Sequence, residues 1–451
     1  MLGVASGAIL VPLNSTMLAV ALPGVQGEFS LGPNAVSSLV TLYLGAVAVA
    51  LPVGGSIGDR YGHRPAFLVG VLLFAVASAL AAIAASFEIL EVARVGQAVS
   101  GALISTSSAA LIRETAPEHR RGEAFGLFDL LVSTSAAVGP FIGGLLVGGF
   151  GWRSLFVIAV PLGVVSAGYV GLVLRAETPA HIAASRRAAN PIDVPGLLLL
   201  GVAIVAFVIA IRSGTDAGPL GLVAAVAVVP LLTLFVFVEL RTDRPAVDPR
   251  LFVHRPFAAA LAGVFGATVI LHGSFVLVPF FVEGLLHETA LTSGIVLLGL
   301  AGVGAIVAPF GGRFSDRNGR RAVVVAGSAI SAVGLAALWF GTAGATAATV
   351  AATLCIVGFG NGLVSPRQAA ALESVEGSRV GMAAGTYYTG RYLGGVMGAS
   401  LAGAILGAKV TSEGVATGFA VLTVVGIGVA VVSLGLRGRN PRAHEPATAA
   451  R

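Results

Sequence analysis

Few side chains in this sequence can carry charge or exchange a proton away from water, and those inside long apolar stretches include Asp129, His272 and Arg94. An ionisable group in such a stretch is expensive to hold and by default marks a site. Asp129 precedes Gly143 by fourteen residues, so on a helix the two share a face to within about 40°. A glycine face packs on protein, so the carboxylate is expected to point inward; the alternative is a carboxylate at headgroup level. The ordinary titration range of an imidazole spans physiological pH, which makes a proton or substrate role available to His272, a hydrogen-bonded packing histidine being the plain alternative. Arg94 follows Glu91 by three residues, the spacing of a local ion pair on one helical face. Arg391 stands among Tyr387, Tyr388 and Tyr392, a polar and aromatic patch able to bind a substrate or simply to pack. Aligning Pro279 with Pro23 sets His272 opposite Thr16, one turn from Asn14. The seven histidines show no metal-ligand spacing, and the single cysteine, Cys355, excludes an intramolecular disulfide.

The elements that must position these residues are membrane helices. Of 451 residues, 56% are hydrophobic and only 11% charged, against roughly 25% charged in soluble domains; mean hydropathy is +0.95. The net charge of +6 is spread singly through short gaps, unlike the clustered basic face of a nucleic-acid binder. A bilayer core requires about 20 apolar residues per helix. That length predicts fourteen helices, at 4–23, 35–55, 65–86, 90–112, 123–148, 154–174, 194–211, 219–239, 257–282, 292–311, 322–341, 347–371, 380–407 and 415–436. The stretch beginning at Met1 has no basic leader and reads as a first spanning helix rather than a signal peptide. Alternate loops and the C-terminal tail hold 22 of the 27 Lys and Arg, which predicts a multi-pass protein of the cell membrane with both termini cytoplasmic.

An internal repeat organises the helices. Gly54, Gly55, Asp59, Arg60, Gly62 and Arg64 recur at an offset of 257 as Gly311, Gly312, Asp316, Arg317, Gly319 and Arg321. A second block recurs at an offset of 259: Arg120, Gly122, Ala124 and Gly126 match Arg379, Gly381, Ala383 and Gly385, and Glu114 matches Glu373. The expected fold is therefore all-α and polytopic: two pseudo-symmetric six-helix bundles plus an inserted helix pair. The divisions fall at 1–175, 176–256 for the pair with its linkers, 257–437, and a tail of 438–451. Helices 7 and 8, without an embedded acid or a motif residue, are expected at the periphery. Asp59 is expected against a helix N-terminus, with Arg60 and Arg64 reaching Glu114, and Asp316, Arg321 and Glu373 are expected to repeat that arrangement, forming a cytoplasmic latch; topology and headgroup binding alone are the alternative.

On these residues the chain resembles the major facilitator superfamily, specifically its fourteen-helix drug:proton antiporter branch. Gly54 to Arg64 is similar to the signature between helices 2 and 3. Arg94-Val95-Gly96-Gln97, followed by Gly101, resembles the helix-4 signature, with Ala98 where glycine is usual. Gly139-Pro140-Phe141-Ile142-Gly143-Gly144 resembles the antiporter signature of helix 5. The resemblance implies export of amphiphilic, drug-like small molecules by proton antiport, with Arg94 in proton transfer or substrate contact and Asn14, Thr16 and Gln97 lining the cavity. One departure matters. Where this branch often has an aspartate in helix 1, the sequence has Asn14, as in some tetracycline-type exporters. Asparagine cannot titrate, so the coupling group must lie elsewhere, with Asp129 first, and cationic substrates are disfavoured.

No phosphate-binding loop accompanies Lys409, the only lysine, which excludes ATP-driven pumping by this chain. No hydrolase triad or cofactor motif is present. The expected partners are a small-molecule substrate, protons and the bilayer, with the chain acting as a monomer. Two other functions compete: an importer or facilitator for one metabolite, and a receptor or scaffold that moves no solute.

Overall fold

The computed structural model describes residues 2–173, 193–213, 219–243, 245, 247–375 and 380–436, and these are helices and short connections without strands. In chain order the long helices are α1 (Val4–Phe29), α2 (Pro33–Tyr61), α3 (His63–Ala82), α4 (Phe87–Thr115), α5 (Glu123–Phe150), α6 (Ser154–Leu172), α7 (Val194–Ile211) and α8 (Leu220–Arg241). They continue as α9 (Arg255–Gly284), α10 (Ala290–Asn318), α11 (Arg320–Gly344), α12 (Ala347–Glu373), α13 (Val380–Leu406) and α14 (Ser412–Ser433). Thirteen of the described helices are long and apolar enough to cross a membrane. The helix outside that set is α13, which has the length, at 27 residues, but carries Arg391 and its tyrosine neighbours. Among the basic loop residues, Arg175, Arg186, Arg187, Arg244, Arg379, Arg437, Arg439, Arg442 and Arg451 lie outside the described residues.

Helices α1 to α6 pack chiefly on one another, with α3 on α4, α2 on α4 and α1 on α5; α9 to α14 do the same, with α9 on α13, α10 on α12 and α11 on α14. The two groups meet along a seam where α5 faces α10 and α2 faces α13. Glycine makes this approach possible, because a helix without a Cβ admits another backbone directly. A Cβ at Gly144 would lie 2.6 Å from the Ala290 carbonyl oxygen, and one at Gly294 would come closer still to the Pro140 carbonyl oxygen. Asn34 N–H donates to the Gly407 oxygen (3.2 Å), and the Thr41 and Ser400 hydroxyls meet at 3.1 Å.

All these contacts sit toward the Trp152 side of the molecule. Toward the other side, where the repeated motif lies, the facing surfaces part. Cβ positions built at Gly55, Gly126 and Gly312 meet no heavy atom within 4 Å.

The repeated motif is more helical than its sequence suggests. The expected loops from Gly54 and Gly311 are instead the last turns of α2 and α10, which run on to Tyr61 and Asn318. Hydropathy finds the apolar window and not the helix end, and nothing breaks either helix until a glycine in the left-handed region: Gly62 (φ 95°) and Gly319 (φ 85°). These are the matched glycines of the repeat, at a backbone conformation that other residues adopt only with strain. Gly54 and Gly311 provide the close approach, to Ala102 O and Gly362 O, while Gly55 faces open space.

The inserted helices pack chiefly on each other, and one of them corrects the expectation that neither holds an embedded acid. Helix α7 leans on both α2 and α13, and a Cβ at Gly45 would come 2.5 Å from Ile204 Cγ2. Glu239, near the end of α8, is fully buried. It was out of view in the sequence because it sits at the margin of the apolar window, one turn before the basic segment.

Candidate functional site

The most deeply buried polar assembly lies where α1, α2, α3 and α4 meet. Arg94 is 1% exposed and Asn14 4%. Arg94 Nη1 donates to Asn14 Oδ1 and to Gln97 Oε1, both at 2.7 Å. Gln97 Nε2 donates to Ser78 Oγ at 2.8 Å. The guanidinium lies over the Tyr43 ring, 4.1 Å from its centroid, a cation–π contact that desolvation strengthens. Four residues spread over the first hundred positions thus form one network, of which the sequence marks Asn14, Arg94 and Gln97. Ser78 and Tyr43 carry no signal of their own; only the rotation of α2 and α3 brings them in.

The alternative of a local Glu91–Arg94 ion pair is not what forms. Ser38 Oγ donates to Glu91 at 2.5 Å, and Arg94 is directed to amide oxygens. Among the described residues no carboxylate lies within ion-pairing distance of Arg94.

Asp129 is exposed, on α5. At 100° per residue it falls within about 60° of Pro140 and Gly144, the residues of α5 that meet α10. The same face is therefore buried near the Trp152 side and open at Asp129, where the two helix groups part. Thr16 and Gly139 mark how tightly α1 and α5 are joined: a Cβ at Gly139 would clash with Thr16 Oγ1, and one at Gly143 would lie 2.8 Å from Met17 O.

Across the seam, His272 is half-buried, its Nδ1 3.1 Å from the Thr268 carbonyl and its ring edge-on to Phe275. Gly395 of α13 admits both His272 and Leu44 of α2, so the imidazole borders the seam. Arg391 is exposed, and its backbone oxygen accepts from Thr268 Oγ1 (2.8 Å). Tyr388 Oη accepts from Gln368 Nε2 at 3.0 Å, while Tyr392 packs against the main hydrophobic cluster.

The motif residues make contacts within their own half of the molecule. His63 approaches Asp59 at 3.4 Å, and Arg64 Nη2 donates to Gly171 O at 2.8 Å. Glu114 is exposed at the end of α4. In the repeat, Glu373 accepts two hydrogen bonds from Arg320, one at 2.8 Å, and not from Arg321 as expected. Adjacent residues of a helix point about 100° apart, so only the structure distinguishes them. Arg60, Asp316, Arg317 and Arg321 make no side-chain hydrogen bond or ion pair among the described residues. Because the Arg320–Glu373 pair is partly solvated, Arg320→Ala is expected to change turnover by no more than about fivefold, the reach of ~1 kcal/mol, and Arg321→Ala to leave it unchanged. Initial-rate transport assays on the two variants check this, and equal effects would contradict the pairing.

Arg367, near the end of the helix expected at 347–371, is 2% exposed. Its Nη1 donates to Gly263 O at 2.7 Å and its Nη2 to Ser328 Oγ at 3.2 Å, tying α12 to α9 and α11 just past the break in α12 after Leu363. A basic residue beside a predicted loop reads as topology; its burial becomes visible only once the break turns it inward.

Comparison with known proteins bears on the family and the fold. The family model of the Major Facilitator Superfamily matches residues 4–399. The chain is 32% identical over 417 residues to an uncharacterized MFS-type transporter, YwoD, of Bacillus subtilis, covering 91% of this chain and 90% of that one. It is 30% identical to the multidrug resistance protein Stp of Mycobacterium tuberculosis, over 89% of this chain and 74% of that protein. It is 31% identical to the tetracenomycin C resistance and export protein of Streptomyces glaucescens, over 91% and 76%. Among solved structures, a POT family transporter in complex with 5-aminolevulinic acid superposes with a TM-score of 0.68 at 16% identity, covering 98% of this chain and 96% of that one. A D-xylose-proton symporter superposes with a TM-score of 0.66 at 13% identity, covering 96% of each. The chain is a multi-pass membrane transporter belonging to the Major Facilitator Superfamily.

Proposed function

We propose that the protein is a proton-driven exporter of amphiphilic small molecules, a member of the fourteen-helix drug:proton antiporter branch working by alternating access as a monomer. In this reading both termini are cytoplasmic. Residues 1–175 and 257–437 form the two six-helix bundles, residues 176–256 the inserted pair and 438–451 the tail. The observation that carries it is the seam: closed by glycine-on-backbone contacts on the Trp152 side and open on the other, with Asp129 on the opening face of α5. A carboxylate there meets solvent in this state and becomes enclosed when the groups rock the other way, which is what a proton carrier requires. His272 and Arg94 are the secondary members of the coupling path. Asp59, Arg60 and Arg64, with Asp316, Arg317, Arg321, Glu114 and Glu373, are the gate of the open side, re-pairing when it closes. Similarity to proteins named for multidrug resistance and for export supports the outward direction.

The test is transport in proteoliposomes under an imposed pH gradient with a panel of dyes, antibiotics and metabolites. Antiport accumulates the substrate in the acidic compartment, because protons leave it as substrate enters. Accumulation in the alkaline compartment would instead establish symport, the mode of an importer, and absence of flux with every compound would leave a receptor or scaffold.

A further inference from the structure

Arg94 is a buried cation without a counter-charge among the described residues. Its two hydrogen bonds leave from one nitrogen, Nη1, and end on neutral amide oxygens. Its Nε and the Asn14 Nδ2 are both buried without a hydrogen-bond partner among the described residues. The edge of a guanidinium bearing Nε is one that a carboxylate engages with both oxygens, and here that edge is unused. The Tyr43 ring contributes only the partial negative charge of its face. Leaving a buried charge and two buried donors unmet is costly, and burial in a membrane helix raises the cost further. Of the other ionisable groups near this region, Arg391 and His272 add no negative charge, and the Glu91 carboxylate is turned to Ser38 Oγ.

We propose that Arg94 and Asn14 form the recognition site for an organic anion, a carboxylate attached to an apolar body, and that the substrate itself supplies the missing counter-charge. The inference rests on the transporter reading and narrows its substrate class from amphiphiles in general to acidic ones. The carboxylate accepts from Arg94 Nε and Asn14 Nδ2, while Nη1 stays held by Asn14 Oδ1 and Gln97 Oε1; both donors are closed off in this state, so the surrounding helices must part to admit the ligand. Asparagine at position 14 is what makes this possible: an aspartate there would neutralise Arg94 from within the protein and repel an anion.

The experiment is a thermal-unfolding titration of the full-length protein in lipid nanodiscs. The probes are sodium naphthoate, naphthamide, naphthylmethylammonium chloride, and sodium chloride at matched ionic strength. Naphthoate is expected to raise the unfolding midpoint saturably, with an apparent affinity at least about tenfold above that of the amide, the worth of a charge-assisted hydrogen bond. The ammonium compound and the salt are expected to have no saturable effect. Arg94→Gln is expected to abolish the naphthoate response. Asn14→Asp, which replaces one amide by an isosteric carboxylate and so keeps the fold, is expected to abolish it too, from a higher starting midpoint. A naphthoate effect no greater than that of naphthamide or of sodium chloride would overturn the proposal, as would a full response persisting in Asn14→Asp. Because the readout is binding, failure here leaves the pH-gradient flux assay to judge the transporter reading separately.

Discussion

Asp129→Asn is expected to abolish transport driven by a pH gradient while leaving substrate binding intact. The carboxylate lies on the face of α5 that closes against α10 through Pro140 and Gly144 and opens at its own position. Replacing it by an amide keeps its volume and polarity and removes the exchangeable proton. Accumulation should fall on the order of 10–100-fold, the span of a coupling free energy of about 1–3 kcal/mol, and the residual flux should follow the substrate's own gradient. His272→Gln is expected to give a milder form of the same defect, since the imidazole borders the seam with one nitrogen already engaged by Thr268 O. Parallel binding and uptake measurements across pH check both. Normal gradient-driven uptake by Asp129→Asn would assign the proton to another group.

The second large effect belongs to the seam. Gly144→Val puts a branched side chain where even a Cβ would lie 2.6 Å from Ala290 O and 3.0 Å from Leu291 Cα. Both obstacles are backbone, so no rotamer relieves the clash, and overpacking of this kind costs about 1–3 kcal/mol. The cost falls only on the state in which the seam is closed on the Trp152 side. The variant should therefore fold, spend most of its time open on that side, and lose turnover. In a Cys355→Ala background, a cysteine at Ser400, which now meets Thr41 across the seam, should be alkylated about 30-fold faster when Gly144→Val is present, the population change that ~2 kcal/mol produces. Unchanged alkylation with retained turnover would mean that this contact does not define the access states.

Much of the helical arrangement is legible in the sequence because a bilayer imposes one length and one composition on everything that crosses it. The window at 123–148 becomes α5 (Glu123–Phe150), and the matched glycines of the repeat become matched turns at Gly62 and Gly319. Relations between helices are less legible. The polar network joins Asn14, Ser78, Arg94 and Gln97 across three helices, and its membership depends on the rotation of each helix about its axis, to which hydropathy is blind. The choice of Arg320 over Arg321 as partner of Glu373 is the same problem at the scale of one residue. Arg367 and Glu239 show the cost of treating a charge near a predicted loop as a marker of topology: both are buried, one past a break in α12 and the other in the last turns of α8.

The most direct test of proton antiport applies a substrate gradient with no pH gradient. Proteoliposomes carrying the purified protein and a trapped pH indicator, at equal pH on both sides, receive external substrate, and lumenal pH is followed as substrate enters. Antiport predicts that the lumen becomes alkaline as each entering molecule drives protons out, and that Asp129→Asn abolishes this signal. A lumen that acidifies, or substrate entry without any proton movement, would contradict the account.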